Sequence, residues 1–350
     1  MGRLKLHWAS QYRDLVSNQL GYSVHNSTML EYVSRRKDVE LAEDAEDALT
    51  ITSADIFKSG VPGKINWLFT MFEGTKIPDA YKENVHRADR LLVPCRFCRD
   101  LFGQHYNGKI YICPEGAEPK IFQYKKRNFS YPFRYLWIGA PNPRKGYEET
   151  IAAWIGGGFI NDPHVELYLK TTKVRPVDEA TNPKMAARFK RIPDYEKKGN
   201  IIFDSRKLPL EELVALYHSA HVLVHPTRGE GWGLILCEAM STGLPCIATP
   251  WSGTADFFDK TVGLPLEYTV KDTEVRLWLP ESEGVEDFVT GAAFPHVQHL
   301  VDSMDYCYRH YGKVKQLGKA ASKRIHSQFT WEQAAEKLID IIRRDKDGRR

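Results

Sequence analysis

The sequence predicts an α/β fold built from two halves, each with its own parallel β-sheet. Short β-rich apolar segments alternate with longer segments of mixed polarity along the chain, and this alternation is typical of parallel sheets with right-handed crossovers. A polar, basic and aperiodic stretch, QYKKRNFSYP (123–132), separates an earlier series of such segments from a later one. The 350 residues suffice for one large or two medium-sized domains. We therefore expect two α/β halves that meet near 123–132.

In the first half, the segments expected to form strands are short, rich in β-formers and bounded by turn residues. They are KLHWA (5–9), ALTIT (48–52), KINWLFT (64–70), RLLVPC (90–95) and KIYIC (109–113). Helices are expected at 24–37, 78–88 and 96–104, and Pro78 with Asp79 marks the start of the second.

The second half repeats the alternation more regularly. Its expected strands are FRYLWIGA (133–140), VELYLKT (165–171), NIIFD (200–204), HVLVHP (221–226) and LPCIATP (244–250). A helix is expected from about Leu234 to Ser241, and Gly243 follows it in the position that a left-handed C-cap prefers.

The composition describes a globular protein of a reducing compartment. Apolar runs such as 222–224 are far shorter than the roughly 20 residues of a membrane span, and the N-terminus lacks a charged-then-apolar signal pattern. We therefore expect a cytoplasmic location. The six cysteines are scattered, and only Cys95 and Cys98 are close in sequence. No second pair completes a zinc site with them, so we expect them to pack in the core.

The net charge of +4 is distributed thinly. Lys125, Lys126 and Arg127 form one compact basic cluster, and a basic tail at 343–350 includes the triplet Asp345-Lys346-Asp347. Neither region is large enough for a nucleic-acid-binding surface, so we expect both to be solvated surface. We also expect the triplet to lie on the surface and to bind no metal.

The stretch RGEGWGLILCEAMSTGLP (228–245) combines a glycine-rich loop with the start of a helix. The free N–H groups of the first helical turn, with close approach at Gly231 and Gly233, form an anion site suited to phosphate. Carboxylates repel phosphate but accept hydrogen bonds from hydroxyls. Glu238, one turn into the helix, is therefore predicted to bind a ribose diol, and Glu230, in the loop, the hydroxyls of a second sugar. A diphosphate between two polyols is a nucleotide sugar.

These residues resemble the retaining nucleotide-sugar glycosyltransferases of the family-4 type, which have two Rossmann-like parallel-sheet domains facing a cleft (the GT-B fold). EGWGLILCEAM carries the E-x7-E motif of that family. Further segments resemble the family in the same order: GYSVHNSTMLEYV (21–33), FTMFEGTKIP (69–78), LLVPCRFCRDLF (91–102), ICPEGAEPKIF (112–122), YLWIGAPNPRKG (135–146) and ATPWSGTADFF (248–258).

The resemblance also implies how the chain is divided into domains. FTWEQAAEKLIDII (329–342) looks like the closing helix that crosses back onto the first domain of this fold. An acceptor-side domain would then comprise 1–127, completed by 329–350, and a nucleotide-sugar-binding domain would comprise 128–328.

The resemblance assigns roles to individual residues. Lys145 matches the basic residue at the phosphates, where a fixed cation stabilises a departing diphosphate. Many members have an arginine directly after the glycine of the strand; here Ala140 follows Gly139, and Arg144 is the candidate substitute. The implied catalytic residues are thus Glu230, Lys145 and Arg144. The implied donor-binding residues are Glu238, Gly231, Trp232, Gly233, Leu234 and Gly21, and neither a metal nor a cofactor is expected.

The implied reaction moves a sugar from a nucleoside diphosphate to an acceptor hydroxyl with retention of configuration. Acceptor-side candidates are Tyr22, His25 and Glu73, although purely structural roles also fit His25 and Glu73. A glycan or lipid-linked glycan is the expected acceptor. Peripheral contact of the protein with a membrane stays an open alternative. Base contacts are expected from 170–173 and 204–207.

Several alternatives stay open. A nucleic-acid base could be the acceptor, because the basic cluster at 125–127 would border the cleft. The chain could also bind nucleotide sugars without catalysis, or act as an epimerase or phosphorylase of the same fold. Ordinary surface positions remain the alternative for Glu230 and Glu238, although Glu238 stands within an apolar run.

Overall fold

The computed structural model describes residues 3–9, 21–43, 48–53, 66–171, 194–275 and 288–348. Among these residues, the first half forms a six-stranded sheet in which every pairing is parallel, in the order β2-β1-β3-β4-β5-β6. Its strands are β1 (Leu4–Ala9), β2 (Val39–Leu41), β3 (Leu49–Ser53), β4 (Asn66–Phe69), β5 (Arg90–Val93) and β6 (Lys109–Ile112).

The second half forms a seven-stranded sheet, again within the described ranges, in the order β13-β12-β11-β7-β8-β10-β9. All of its pairings are parallel except that of β9 with β10. The strands are β7 (Phe133–Ile138), β8 (Val165–Lys170), β9 (Tyr195–Lys198), β10 (Ile201–Asp204), β11 (Val222–His225), β12 (Cys246–Ala248) and β13 (Leu264–Pro265).

Helices cover both sheets. They are α1 (Gly21–Ser34), α2 (Asp79–His86), α3 (Arg96–Gly103), α4 (Tyr147–Gly156), α5 (Leu210–Ser219), α6 (Leu234–Ser241), α7 (Val297–Arg309), α8 (Tyr311–Gln328) and α9 (Trp331–Asp347). Within the described ranges, three 3-10 turns lie at Pro143–Lys145, Phe159–Asn161 and Ser252–Asp256. None of the described helices combines the length and apolar character needed to cross a bilayer.

The last helix packs on the first sheet. Apolar side chains of α9, among them Leu338 and Ile342, share a core with Leu6 and Ile51 of that sheet. Thr330 caps α9 through a capping box with Gln333, which satisfies free N–H groups at the start of the helix. The chain therefore returns to the first half at its C-terminal end.

A two-stranded antiparallel hairpin, β14 (Tyr268–Glu274) and β15 (Val289–Pro295), stands apart from both large sheets. It lies between β13 and α7 in the sequence. The sequence analysis did not predict it, because Gly291, Ala292 and Ala293 interrupt the β-rich pattern.

The fold class predicted from the sequence is confirmed, since two mainly parallel sheets lie in the two halves. The expected helix at 234–241 agrees with α6, and Gly243 adopts a φ of 76° just after it. The analysis missed β2, β9 and β13, which are short or polar edge strands. The exact division into domains stays a prediction.

Two expectations about charged surface were wrong. Arg127 is buried rather than solvated, and its guanidinium donates to the carbonyl oxygens of Tyr217, Ala220 and Thr242. These carbonyls offer a buried cation the hydrogen bonds that replace water.

Asp345 of the D-x-D triplet is likewise buried, with 1% of its side chain exposed. It forms ion pairs with Arg90 at 2.9 Å and Lys109 at 3.2 Å, and Tyr111 donates a hydrogen bond to it at 2.7 Å. These contacts tie the end of α9 to β5 and β6, so Asp345 belongs to the packing between helix and sheet.

Candidate functional site

The loop that carries Glu230 connects β11 to α6. Gly233 ends the loop with a φ of 108°, a left-handed conformation that glycine adopts without strain. Gly229 and Gly231 allow close approach of the first half, because a Cβ would lie 2.4 Å from the Glu73 carbonyl oxygen at Gly229 and 2.2 Å from Met71 Sδ at Gly231. The glycines of this loop therefore serve contact between the two halves.

The loop that carries Arg144 and Lys145 follows β7, the parallel neighbour of β11. Asn142 Oδ1 accepts a hydrogen bond from the Lys145 backbone N–H at 3.1 Å and so caps the 3-10 turn. At Gly146, where φ is 68°, a Cβ would lie 2.0 Å from the Pro226 carbonyl oxygen. Because the carboxyl ends of adjacent parallel strands lie side by side, the two loops pack against each other.

Four charged side chains meet where these loops contact the first half. Lys145 Nζ lies 2.7 Å from Glu230 Oε1 and 2.8 Å from Oε2. Arg144 Nη1 lies 3.3 Å from Glu230 Oε2 and 3.2 Å from Glu73 Oε1, and it donates to the Gly229 carbonyl oxygen at 2.8 Å. We call Glu73, Arg144, Lys145 and Glu230 the charged cluster. Their side chains are between 8% and 19% exposed, so the cluster is largely buried but reachable from solvent.

Mutual charge compensation sets the protonation of the cluster. Burial alone would raise the pKa of Glu230, but Lys145 and Arg144 outweigh it and lower that pKa to about 2. Burial and the neighbouring Arg144 lower the pKa of Lys145, against the opposing effect of Glu230. Burial would lower the pKa of Arg144, but Glu73 and Glu230 raise it overall. Near neutral pH, Glu230 is therefore ionised beside two cations.

The backbone of Glu230 is fixed by Ser252, a residue that the sequence analysis missed. The Glu230 N–H donates to Ser252 Oγ at 2.9 Å, and that hydroxyl donates to the Glu230 carbonyl oxygen at 3.0 Å. Ser252 has a φ of 58°, which is uncommon outside glycine. The segment ATPWSGTADFF indicated this loop, but not its contact with Glu230.

His225 is a second residue that the analysis missed. Its Nε2 lies 3.7 Å from Glu230 Oε1, and the residue is 1% exposed. Burial lowers the pKa of His225 to about 4, with Glu230 opposing and Lys145 and Arg144 adding to the effect. The imidazole is therefore neutral at pH 7. Its place at the carboxyl end of β11 was the available signal.

Glu238 lies on α6, one turn from its start, and is partly buried. The Tyr217 hydroxyl, from α5, donates to Glu238 Oε2 at 2.8 Å. Burial raises the pKa of Glu238 to about 7, even though the Tyr217 hydrogen bond acts to lower it. Glu238 is thus close to half-protonated at neutral pH, which the sequence could not indicate because Tyr217 is distant along the chain.

The other donor-side candidates include Gly233, Leu234 and Trp232, and these contribute free backbone N–H groups or apolar side chains. Gly233 precedes α6 without a side-chain cap, so the first-turn N–H groups have no capping side chain among the described residues. Leu234, the first residue of α6, packs against both the first-half core and the large core between the halves. The Trp232 indole is 1% exposed and lies 4.8 Å from the Phe257 ring, centroid to centroid. Its side chain therefore packs in the core.

The acceptor-side candidates, Tyr22, His25 and Glu73, do not lie together in one site. Glu73 joins the charged cluster through Arg144. His25 is fully buried in the first half, with Nδ1 2.9 Å from Glu115 Oε1 and its ring 4.1 Å from that of Phe69. The structure thus places His25 beside Glu115, which the analysis did not single out, and not in the charged cluster. Gly21 begins α1, and the Tyr22 side chain lies outside the described residues.

The loops expected to contact the base contain a polar network. Asp204 Oδ2 accepts hydrogen bonds from the Tyr168 hydroxyl at 2.5 Å and from Arg206 at 2.8 Å. Lys170 Nζ donates to the carbonyl oxygens of Thr171 at 2.8 Å and Arg206 at 2.7 Å. Residues 172 and 173 lie outside the described residues. The network lies at the carboxyl ends of β8 and β10, on the same side of the sheet as the charged cluster.

Comparisons with known proteins agree with this geometry. Residues 197–338 match a family model described as "Family 4 Glycosyltransferase in conflict systems". The serotype-specific mannosyltransferase WbdA of Escherichia coli is 30% identical over 117 residues, which are 32% of this chain and 13% of WbdA. The D-inositol 3-phosphate glycosyltransferase of Corynebacterium diphtheriae is 29% identical over 133 residues, 38% of this chain and 25% of that protein.

Over residues 197–338, this chain is similar to family-4 glycosyltransferases. Among solved structures, sucrose-phosphate synthase from Thermosynechococcus elongatus superposes with a TM-score of 0.68 and 14% identity, over 99% of this chain and 100% of that one. Alr3699/HepE of Anabaena, in complex with UDP and glucose, gives a TM-score of 0.60 and 12% identity, over 97% and 99%. These likenesses establish the GT-B fold for this chain. It spans a quarter or less of the curated relatives named above.

Proposed function

We propose that the protein is a retaining glycosyltransferase that moves a sugar from a nucleoside diphosphate to an acceptor hydroxyl. The observation that carries the proposal is the charged cluster, in which Glu230 bridges Lys145 and Arg144 at the contact between the two halves. The E-x7-E spacing places Glu238 on the adjoining helix. The two carboxylates and two cations are the groups that a sugar, a diphosphate and a ribose require.

The cations supply the electrostatic part of the reaction. In the proposed complex, the diphosphate accepts hydrogen bonds from Lys145 and from the free N–H groups at the start of α6. Glu230 then releases Lys145 and accepts hydrogen bonds from hydroxyls of the transferred sugar. Fixed cations in a largely buried site stabilise the charge that develops on the leaving phosphate, and they need no reorganisation at the moment of reaction.

The remaining groups orient rather than attack. Glu230 is ionised but held between two cations, and His225 is neutral and buried, so neither is an exposed nucleophile. We infer that the leaving phosphate oxygen takes the proton of the acceptor hydroxyl on the same face of the sugar, which gives retention. Catalysis then rests on positioning and charge stabilisation, and requires no metal.

The acceptor is proposed to approach from the first half, where Glu73 reaches the charged cluster. A sugar, glycan or lipid-linked glycan fits a site built from carboxylates. Support comes from two solved structures of the same fold. Alr3699/HepE of Anabaena is in complex with UDP and glucose, and a UDP-forming α,α-trehalose-phosphate synthase from Burkholderia xenovorans is in complex with glucose-6-phosphate.

Transfer to a nucleic-acid base is the second candidate. The exposed Lys125 and Lys126 of the basic cluster favour it, because a polyanion binds exposed cations. The burial of Arg127 removes one of the three cations on which the sequence argument for it relied. Salt-dependent acceptor binding would distinguish a nucleic acid from a neutral glycan.

A donor screen tests the proposal. Thermal unfolding should be followed with UDP, GDP, ADP and their glucose conjugates, because a ligand that binds only the folded state raises the midpoint. We expect one of the three nucleotides to raise the unfolding midpoint. The glucose conjugate of that nucleotide should then release nucleoside diphosphate when a pool of sugars and glycans is added. If no nucleotide shifts the midpoint and no nucleoside diphosphate is released, the proposal fails. A shifted midpoint without release of nucleoside diphosphate would indicate a non-catalytic binding protein.

A further inference from the structure

The β14–β15 hairpin contacts the acceptor side of the site, in a place that the proposed chemistry does not use. Thr290 Oγ1 of β15 accepts a hydrogen bond from the Lys76 N–H at 3.0 Å and donates to the Lys76 carbonyl oxygen at 3.0 Å. Beside it, the Gly291 N–H donates to Thr75 Oγ1 at 2.9 Å, and the Thr75 N–H donates to the Gly291 carbonyl oxygen at 3.1 Å. Four hydrogen bonds thus join a strand of the second half to residues 75–76 of the first.

The contact leaves no free space. Thr290 is fully buried, and a Cβ added at Gly74 would lie 2.3 Å from Thr290 Oγ1. A Cβ at Gly291 would lie 2.5 Å from Thr75 Oγ1. Such close packing fixes the backbone next to Glu73, since Gly74 is its immediate neighbour in the chain.

The same strand also contacts the loop of the charged cluster. The Ala293 N–H donates to the Arg228 carbonyl oxygen at 3.0 Å, and the Arg228 guanidinium lies 4.4 Å from the centre of the Phe294 ring. The Arg228 N–H in turn donates to the Arg144 carbonyl oxygen at 2.7 Å. A closed ring of contacts therefore runs from residues 74–76, next to Glu73, through β15 and Arg228 to Arg144, and from Arg144 back to Glu73.

We propose that Thr290 is a positioning residue that holds Glu73 in contact with Arg144. The hairpin then governs use of the acceptor rather than binding of the donor. The inference rests on the proposed function for its catalytic consequence, but not for its structural one. Among the hydrogen bonds and ion pairs of the described residues, none joins the side chain of Lys145 or Glu238, which we assign to the donor, to the hairpin. Glu73, in contrast, lies two residues from Thr75. A small displacement of a positioning group costs up to about 100-fold in rate.

Three variants test the proposal. Thr290→Val keeps the shape of the side chain and removes its hydroxyl, whereas Thr290→Ser keeps the hydroxyl. Thr273→Val is the matched control, because Thr273 pairs with Thr290 across the hairpin and is also buried. Among the described hydrogen bonds, none joins the Thr273 side chain to residues 74–76.

Each variant is measured in two ways. Amide hydrogen exchange of 71–77 reports whether the loop is held, and we expect it to be about tenfold faster in Thr290→Val alone. Turnover of UDP-glucose, or of the donor that the screen selects, is measured with a mixed pool of monosaccharides and their phosphates. We expect kcat to fall about tenfold in Thr290→Val, with UDP affinity and the KM for donor nearly unchanged, and Thr290→Ser to restore both readouts.

Two results would overturn the inference: unchanged exchange of 71–77 in Thr290→Val, or a loss of UDP affinity that parallels the loss of turnover. An equal effect of Thr273→Val would assign the result to general destabilisation of the hairpin. If the wild-type protein turns over no nucleotide sugar, the proposed function fails, and the exchange measurement still decides whether Thr290 holds the loop.

Discussion

Lys145 and Glu230 come from loops that follow neighbouring parallel strands, and the Lys145 ammonium lies within 2.8 Å of both carboxylate oxygens of Glu230. Arg144 contacts the same carboxylate and also reaches Glu73 from the other half. A negative charge that enters this site can replace Glu230 as the partner of Lys145. The cluster therefore balances two cations against two carboxylates, and in the proposed complex a phosphate replaces Glu230 as the partner of Lys145.

The first prediction concerns Glu230. Glu230→Gln should lower kcat/KM by roughly 10-fold to 150-fold, because an uncharged amide accepts weaker hydrogen bonds from sugar hydroxyls, a loss of about 1.5 to 3 kcal/mol. Steady-state kinetics with the selected donor measure the effect. Glu267→Gln is the control, since the Glu267 side chain is 70% exposed and lies outside the charged cluster. Near wild-type turnover of Glu230→Gln at subsaturating donor would show that the site is assigned wrongly.

The second prediction concerns metal ions. Transfer should persist in EDTA, because Lys145, Arg144 and the start of α6 already supply positive potential for the leaving group. The rate of nucleoside diphosphate release is compared before and after chelation, with a metal-dependent transferase as the positive control for EDTA. Complete loss of activity that Mn²⁺ or Mg²⁺ restores would refute this prediction.

The third prediction concerns the pH dependence of donor binding. A carboxyl group with a pKa of about 7, as at Glu238, is ionised to roughly 10% at pH 6 and 90% at pH 8. If only the ionised form binds the ribose diol well, donor affinity should rise about tenfold over this range. Titration calorimetry at pH 6, 7 and 8 measures it, and Glu238→Gln corrects for the titration of other groups. Equal pH dependence in both proteins would exclude Glu238 as the cause.

The Glu238 carboxyl group should also make the free energy of unfolding depend on pH, in the direction opposite to donor affinity. Its folded-state pKa is raised above the usual value of 4.5, so the folded chain binds more protons than the unfolded chain between pH 4.5 and about 7. The free energy of unfolding should therefore fall as pH rises through this window, relative to Glu238→Gln. Tyr217→Phe removes the hydrogen bond that lowers the pKa of Glu238, and it should move the midpoint of the donor-binding profile to higher pH.

The fourth prediction separates the two acids of the D-x-D triplet. Asp345→Asn should destabilise the protein by about 2 kcal/mol, mainly because Arg90, with 18% of its side chain exposed, would lose the carboxylate that compensates it, whereas Lys109 is half exposed. Asp347→Asn, at an exposed position of the same helix, should change stability little. Denaturant unfolding compares the two. Equal effects would show that Asp345 makes no particular contribution to the packing of α9.

The alternating pattern predicted most of the strands and helices, because segments such as VELYLK combine β-forming residues with sharp turn boundaries. The family resemblance, not the alternating pattern, assigned Lys145 and Glu230 to one site, and the parallel pairing of β7 with β11 explains why their loops meet. Arg127 and Asp345 were assigned to the surface because charge predicts exposure unless a partner is known. Their partners lie 90 or more residues away for Arg127 and more than 230 away for Asp345. Tyr217 and Ser252 escaped prediction for the same reason, because each acts on a glutamate that only the fold brings near.

The most direct test of the central claim is nucleoside diphosphate release from the selected nucleotide sugar, in the presence of EDTA, by the wild-type protein and Lys145→Met. The account predicts steady release by the wild type on addition of acceptor, and a loss of at least about tenfold in Lys145→Met, since the cation beside the leaving phosphate is gone. Equal release by the two proteins, or no release from any nucleotide sugar by the wild type, would contradict it.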